Sequence, residues 1–144
     1  MTGFFGQFEY QMDAKGRVAL PSAFRQEADG DRFVLLQWEK PYLSLYPDEV
    51  WREKQKALLE LRRSGPDAAR FVRRLLSLAT EVVPDKQGRI LVPSLLQEAA
   101  DLDRTVLFLG NIDHVEMWEP GAYRDEHGGE VADEAAGFAQ RILG

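Results

Sequence analysis

The chain has 144 residues, 44% of them apolar, with no cysteine and a formal net charge of −6. This composition supports a packed core and excludes a disordered chain, disulfides, thiolate nucleophiles and cysteine-ligated zinc. No apolar run approaches the roughly 20 residues of a membrane helix, and residues 1–10 lack a basic leader, so a cytoplasmic chain that neither spans a membrane nor is secreted is expected.

In chain order, Phe8, Tyr10 and Met12 alternate with polar residues, and Val18 and Leu20 resume the alternation after a tight turn, which predicts a first hairpin. Pro21 suits a first helical turn, predicting a short helix over 22–28. Segments 33–38 and 42–46 then form a second hairpin. Two helices follow, separated by Ser64-Gly65-Pro66. In the first, Val50, Ala57, Leu58 and Leu61 share a stripe; in the second, Ala68, Phe71, Val72, Leu75, Leu76 and Ala79 do, with Arg70, Arg73 and Arg74 opposite. Val82 and Val83, then Ile90 and Val92, restart the strand pattern. Pro93 opens a helix over 94–100, and 105–109 with 114–118 make a last hairpin. After Gly128-Gly129, the residues Val131, Ala135, Phe138 and Ile142 sit at helical spacing, giving a terminal amphipathic helix whose apolar face needs a partner.

Laid on itself, the chain repeats. Asp13-Ala-Lys-Gly-Arg-Val-Ala-Leu-Pro-Ser22 matches Asp85-Lys-Gln-Gly-Arg-Ile-Leu-Val-Pro-Ser94 at an offset of 72 residues. At the same offset Ala28, Asp29, Asp31, Arg32, Val34 and Leu35 find Ala100, Asp101, Asp103, Arg104, Val106 and Leu107. Repeated units bury apolar faces on one another, and isolated hairpins are marginal in water, so the strands of one half are expected to complete the sheet or barrel of the other. The division is residues 7–49 and 79–122 as two like domains, 50–78 as a helical connector and 123–144 as an acidic helical tail.

Charge is segregated. Residues 51–76 hold eight basic and three acidic side chains, whereas 113–144 hold two basic and eight acidic. The basic helices can meet DNA, the acidic tail of a neighbouring subunit, or only water. Within each Asp-x-x-Gly-Arg element the carboxylate suits the first position of a turn and glycine a position with positive φ. Taken alone, such an element reads as a turn whose arginine pairs with its own aspartate. Two of them present Lys15 with Arg17, and Lys86, Gln87 and Arg89, a paired basic projection able to hold phosphates and reach guanine edges in a major groove.

The doubled Asp-x-x-Gly-Arg element, its spacing and the aromatic start Phe4-Phe5-Gly6 closely resemble the MraZ family, bacterial regulators with two SpoVT/AbrB-like domains. The resemblance runs from Phe4 to about Tyr123. It implies an α+β fold with a mostly β core, in which tandem AbrB-type swapped-hairpin modules form an intrachain pseudo-dimer with connecting and C-terminal helices. It further implies assembly into a ring of eight or more subunits, binding of double-stranded promoter DNA at short direct repeats, repression of its own promoter and of the division and cell-wall gene cluster, and association with the nucleoid. Carried over by position, Arg17 and Arg89 read DNA, Lys15 and Lys86 hold phosphate with Gln87 beside them, and Asp13, Gly16, Asp85 and Gly88 orient the loops. Lys86-Gln87 stands where the first loop has Ala14-Lys15, so the loops are unequal, and the first is expected to contribute more. No cofactor, metal or small-molecule substrate is implied.

An enzyme finds little support. The two histidines, His114 and His127, fall in no HExxH element, and GxSxG, GxGxxG and P-loop patterns are missing. His114 aligns with Tyr42 and reads as a strand residue. A structural or antitoxin-like module gripping a partner protein through the terminal helix is the third reading; two domains with a short tail favour the regulator. Trp38, Trp51 and Trp118 read as core or interface.

Overall fold

The computed structural model describes residues 3–128 and 133–144, so Gly129 and Val131 lie outside the described residues. The elements in order are β1 (Gln7–Gln11), β2 (Arg17–Ala19), α1 (Ser22–Glu27), β3 (Phe33–Leu36), β4 (Leu43–Pro47), α2 (Asp48–Arg62) and α3 (Pro66–Leu78). They are followed by β5 (Thr80–Val82), β6 (Arg89–Leu91), α4 (Ser94–Ala99), β7 (Thr105–Asn111), β8 (His114–Trp118), α5 (Pro120–His127) and α6 (Asp133–Leu143). Pro21 and Pro93 sit one residue before their helices, at the caps.

The fold is α+β. Six antiparallel strands form one sheet in the order β1-β7-β8-β4-β3-β5, and β2 pairs with β6 in a separate ribbon. Each half therefore lends a strand to the other: β1 lies on β7, and β5 lies on β3. The halves also meet at two central pairs, Ser44 opposite Glu116 and Val18 opposite Ile90, each joining residues 72 apart. The outer ladders are not copies of each other. Tyr10 pairs with Val106, whose equivalent is Val34, yet Val82, the equivalent of Tyr10, pairs with Phe33. That is a register difference of one residue.

The expected first hairpin of each half is corrected by this arrangement. β1 and β2 are joined by a tight turn but share no ladder, because β1 enters the large sheet while β2 lies in the ribbon. Alternation fixes strand character; the partner is set by where each apolar face can be buried against the other half.

Alternate residues feed two cores. Phe33, Leu35, Leu43 and Leu45 point to one face, where the ribbon supplies Val18 and Ile90 and the short helices supply Phe24 and Leu96. Leu36 and Tyr46 point to the other, beneath Trp51 and Leu58 of α2 and Val72 and Leu75 of α3. With both faces covered, all five positions of β4 are buried. Burial pushes the Tyr46 hydroxyl up to about 12, so it stays protonated.

The connector forms as two helices. Asp48 and Glu49 in the first turn of α2 and Arg62 in its last match the helix dipole, and Pro66 opens α3 where its missing N–H costs nothing. The expected apolar stripes are only partly covered. Trp51 replaces Val50 as the buried anchor of α2, Leu61 is exposed, and on α3 Phe71 and Leu76 remain 46% and 41% exposed. A helix lying over one sheet face buries only its innermost residues, and these stripes wrap wider than that contact. Trp118 and Trp51 are core residues at 3% and 7% exposure. Among the described residues no helix is long and apolar enough to cross a membrane.

Candidate nucleic-acid interface

The two Asp-x-x-Gly-Arg turns are built alike. Asp13 Oδ1 accepts the Lys15 and Arg17 backbone N–H groups at 3.0 and 2.8 Å, and Asp13 Oδ2 accepts Arg17 Nε–H at 2.8 Å. Asp85 Oδ1 accepts the Gln87 and Arg89 N–H groups, both at 2.9 Å, and its Oδ2 accepts Arg89 Nε–H at 3.0 Å. The backbone bond from Arg17 chiefly holds the Asp13 carboxyl below its ordinary value, and that from Arg89 does the same for Asp85. One carboxylate thus shapes the turn and clamps the arginine by Nε. Among the described residues no hydrogen bond or ion pair engages the Nη groups of either arginine, so the outer edge of each guanidinium is left for another acceptor.

Gly16 and Gly88 have φ of +87° and +78°, the left-handed region that glycine enters without strain. Their carbonyls accept Val92 N–H at 2.8 Å and Leu20 N–H at 2.9 Å, so each turn is stitched to the opposite strand of the ribbon. The turns consequently flank the ribbon at its two ends. Gly16 and Leu20, the residue facing Gly88, are four positions apart on one strand, which spans about 13 Å. A major groove is about 12 Å wide.

Val18 and Ile90 face the core at 1% exposure, so the alternation puts Arg17, Ala19, Arg89 and Leu91 on the outer face of the ribbon. The side chains of Arg17 and Arg89 are 36% and 31% exposed. Lys15, Lys86 and Gln87 are exposed on the turns. The structure therefore brings all five expected contact residues to one ribbon and its two flanking turns.

Three residues were missed. Leu91, the counterpart of Ala19, is 54% exposed on the outer face. Gln97 donates to the Val92 carbonyl at 2.7 Å and packs on Gly16, while Arg25 donates to the Leu20 carbonyl at 3.1 Å and packs on Gly88. Arg25 and Gln97 are themselves 72 apart, so carrying the repeat through the short helices would have found them. They make the turns unequal: the second has Arg25 against it, the first a neutral amide.

His114 is not part of this surface. It stacks on Tyr46 at 5.0 Å and bridges Asp113 and Glu116 at 2.7 and 3.3 Å. Burial disfavours its charged form, but the bonds to Glu116 and Asp113 outweigh that and raise its pKa. Burial likewise works against the Glu116 carboxylate, and the donors His114, Asn111 and Trp118 outweigh it and lower its pKa. Both shifts favour an ion pair packed against the sheet.

The arrangement is a tandem one, two turns of like construction displaying cations from the two ends of one ribbon. Among the described residues no group of three or more His, Cys, Asp or Glu side chains is placed to hold a metal ion. The family model described as "MraZ protein, putative antitoxin-like" matches residues 4–74 and again 75–128. A "Transcriptional regulator MraZ" of Halothermothrix orenii is 39% identical over 125 residues, covering 85% of this chain and 87% of the relative. Relatives of the same name from Desulforamulus reducens and Moorella thermoacetica are 42% identical over 115 residues (80% of each chain) and 36% identical over 140 residues (97% and 96%). The chain belongs to the MraZ family, whose members here are named as regulators and not as enzymes.

Proposed function

We propose that this chain is a DNA-binding transcriptional regulator that seats its β2–β6 ribbon and flanking turns in a major groove of its own promoter. The observation that carries the reading is the pair of arginines on one ribbon face, each clamped through Nε by its own aspartate with its outer edge free. A guanidinium held in this way is preorganised for the O6/N7 edge of guanine, and Lys15, Lys86 and Arg25 flank it as phosphate contacts. Leu91 beside Arg17 suits a thymine methyl. The net charge of −6 is no obstacle, since the turn segments 13–17 and 85–89 each carry one acidic and two basic residues and the acidic excess lies elsewhere in the sequence.

On this reading the strand exchange between halves is that of an AbrB-type swapped-hairpin pseudo-dimer spanning 7–49 and 79–122. The regulator represses its own promoter and the division and cell-wall cluster, engaging short direct repeats as a cytoplasmic, nucleoid-associated ring in which several weak contacts sum. Gel-shift titration of wild type, Arg17→Lys and Lys15→Ala at two salt concentrations tests it. Arg17→Lys keeps the charge but loses the Nε clamp and the forked edge, so specific affinity should drop about 5- to 150-fold, the equivalent of ~1–3 kcal/mol, with little change in salt slope. Lys15→Ala should weaken all sequences and lower the slope by about 1. Wild-type affinity in Arg17→Lys would return the arginine to a purely structural role, and the reading would fall.

A further inference from the structure

Two apolar surfaces of this chain face solvent, and their sequences carry opposite charge. The first is the groove between α2 and α3, a cavity of about 480 Å³ lined by Leu58, Leu59, Val72 and Leu76, with Arg52 and Arg62 at its rim. Leu59 and Leu76 are 39% and 41% exposed. The second is α6, where Ala135, Phe138, Ala139, Ile142 and Leu143 recur at i, i+3, i+4, i+7 and i+8. Phe138, Ile142 and Leu143 are 60%, 84% and 84% exposed, so a full helical stripe stands in water.

Charge complements shape. The cations lining the groove are Arg52, Lys56 and Arg62, the first two paired with Asp48 and Glu53 of their own helix, whereas 123–144 hold five acidic and two basic residues. Among the described residues Arg62 enters no ion pair, so its charge is available at the rim. The 11-residue α6, about 16 Å long, fits along the 15-residue α2, about 22 Å. Within one chain neither surface covers the other, since the groove leucines and the α6 stripe are both exposed.

We propose that α6 of one copy docks its Phe138–Ile142 stripe into the basic-rimmed α2–α3 groove of a second copy. This is a helix-in-groove contact, with apolar anchors buried and the acidic tail sequence meeting the arginine rim. It is heterologous: helix and groove are different surfaces, so each copy offers one of each and the contact propagates from chain to chain.

Because the chain has no native cysteine, single cysteines report the contact cleanly. Chains carrying Leu76→Cys and differently tagged chains carrying Phe138→Cys are mixed and treated with a short bis-maleimide. The expected result is a mixed covalent dimer whose yield drops at least several-fold when Arg52→Glu and Arg62→Glu are added to the groove chain. Ile142→Asp, at a solvent-exposed site that leaves the fold intact, should lower the solution mass measured by light scattering. No mixed dimer, or a Leu76→Cys/Phe138→Cys chain that closes on itself in preference to its neighbour, overturns the proposal. So does an unchanged mass for Ile142→Asp. No step uses DNA, so failure here is distinct from failure of the turns to bind it.

Discussion

The two turn glycines answer to the same backbone demand but meet different neighbours, and alanine at each should separate the two effects. Both positions have positive φ, so any side chain costs about 1–2 kcal/mol in the left-handed region. A Cβ at Gly16 would also lie 2.8 Å from the Val92 carbonyl oxygen and against the Gln97 amide. The carbonyl belongs to the ribbon and cannot swing away; relief means displacing it or breaking the Gln97–Val92 hydrogen bond, a further ~0.5–1.5 kcal/mol. A Cβ at Gly88 would lie 2.8 Å from Arg25 Cζ, the far end of a flexible side chain that can move aside. Gly16→Ala should therefore cost about 1.5–3.5 kcal/mol and Gly88→Ala about 1–2. At roughly 3 °C per kcal/mol for a chain of this size, the melting temperature falls about 5–10 °C in the first case and about 3–6 °C in the second. Gly30, with no heavy atom within 4 Å and no positive φ, is the control, and alanine there should be neutral or mildly stabilising. Thermal and urea unfolding followed by circular dichroism measures all three. Equal losses at Gly16 and Gly88, or a Gly16→Ala variant within about 0.5 kcal/mol of wild type, would refute the carbonyl-clash argument.

Arg25→Gln, which makes the second turn resemble the first, should leave thermal stability within about 0.5 kcal/mol while weakening promoter binding and lowering the salt slope by about 1; an unchanged slope would remove Arg25 from the interface. The raised pKa of His114 makes a stability contribution that is full below its ordinary value, about 6.5, and lost as pH rises through the higher folded value. Denaturant midpoints of wild type should accordingly fall between neutral and mildly alkaline pH, and His114→Gln should flatten that slope; parallel profiles would show that the pair with Glu116 is not coupled to folding. For Asp13 and Asp85 the sign is reversed. Their depressed pKa values mean that turn order is present above the ordinary aspartate value, about 3.9, and is lost as pH falls through the lower folded value. The amide resonances of Arg17 and Arg89 should follow a midpoint below 3.9, and a midpoint at or above it would contradict the hydrogen bonds seen in the turns.

The duplication was legible because a gap-free repeat needs no fold to be seen, and it placed both turns, both short helices and the second hairpin of each half close to where they stand. What local pattern could not supply was partner choice. Phe8 and Met12 alternate as well for a hairpin with β2 as for the ladder with β7, and the difference lies in which half can bury the faces. The helical connector shows the same limit. Phe71 and Leu76 belong to an unbroken 3.6-residue stripe, yet only Val72 and Leu75 reach the sheet, because the width of the contact is a property of the packed pair. At the site, Asp13 and Arg17 declared themselves by their turn chemistry. Arg25 and Gln97 did not, since four-residue spacing beyond a proline carries no chemistry until the helix is laid against the glycine of the opposite turn.

A two-fold ribbon inside one chain differs from the ribbon of a homodimer in one physical respect. Identical subunits present identical sites across the axis, so a homodimer matches a palindrome. Here the axis through Val18–Ile90 and Ser44–Glu116 relates residues free to diverge, and at the candidate interface they have: Ala19 against Leu91, Ala14-Lys15 against Lys86-Gln87, and Gln97 against Arg25. On the proposed reading the pair common to both halves, Arg17 and Arg89 with their aspartates, would supply the shared grip. The divergent positions place an exposed leucine, Leu91, on one side of the axis and an extra cation, Arg25, on the other. If the ribbon seats on DNA as proposed, such a surface would have a direction along the duplex, and the sites it favours would have one too. Several copies linked head to tail, each helix in the next groove, would then meet boxes of the same orientation. That would be the arrangement of direct repeats, reached from the asymmetry of the two halves together with the proposed heterologous contact, without either feature being built for the other.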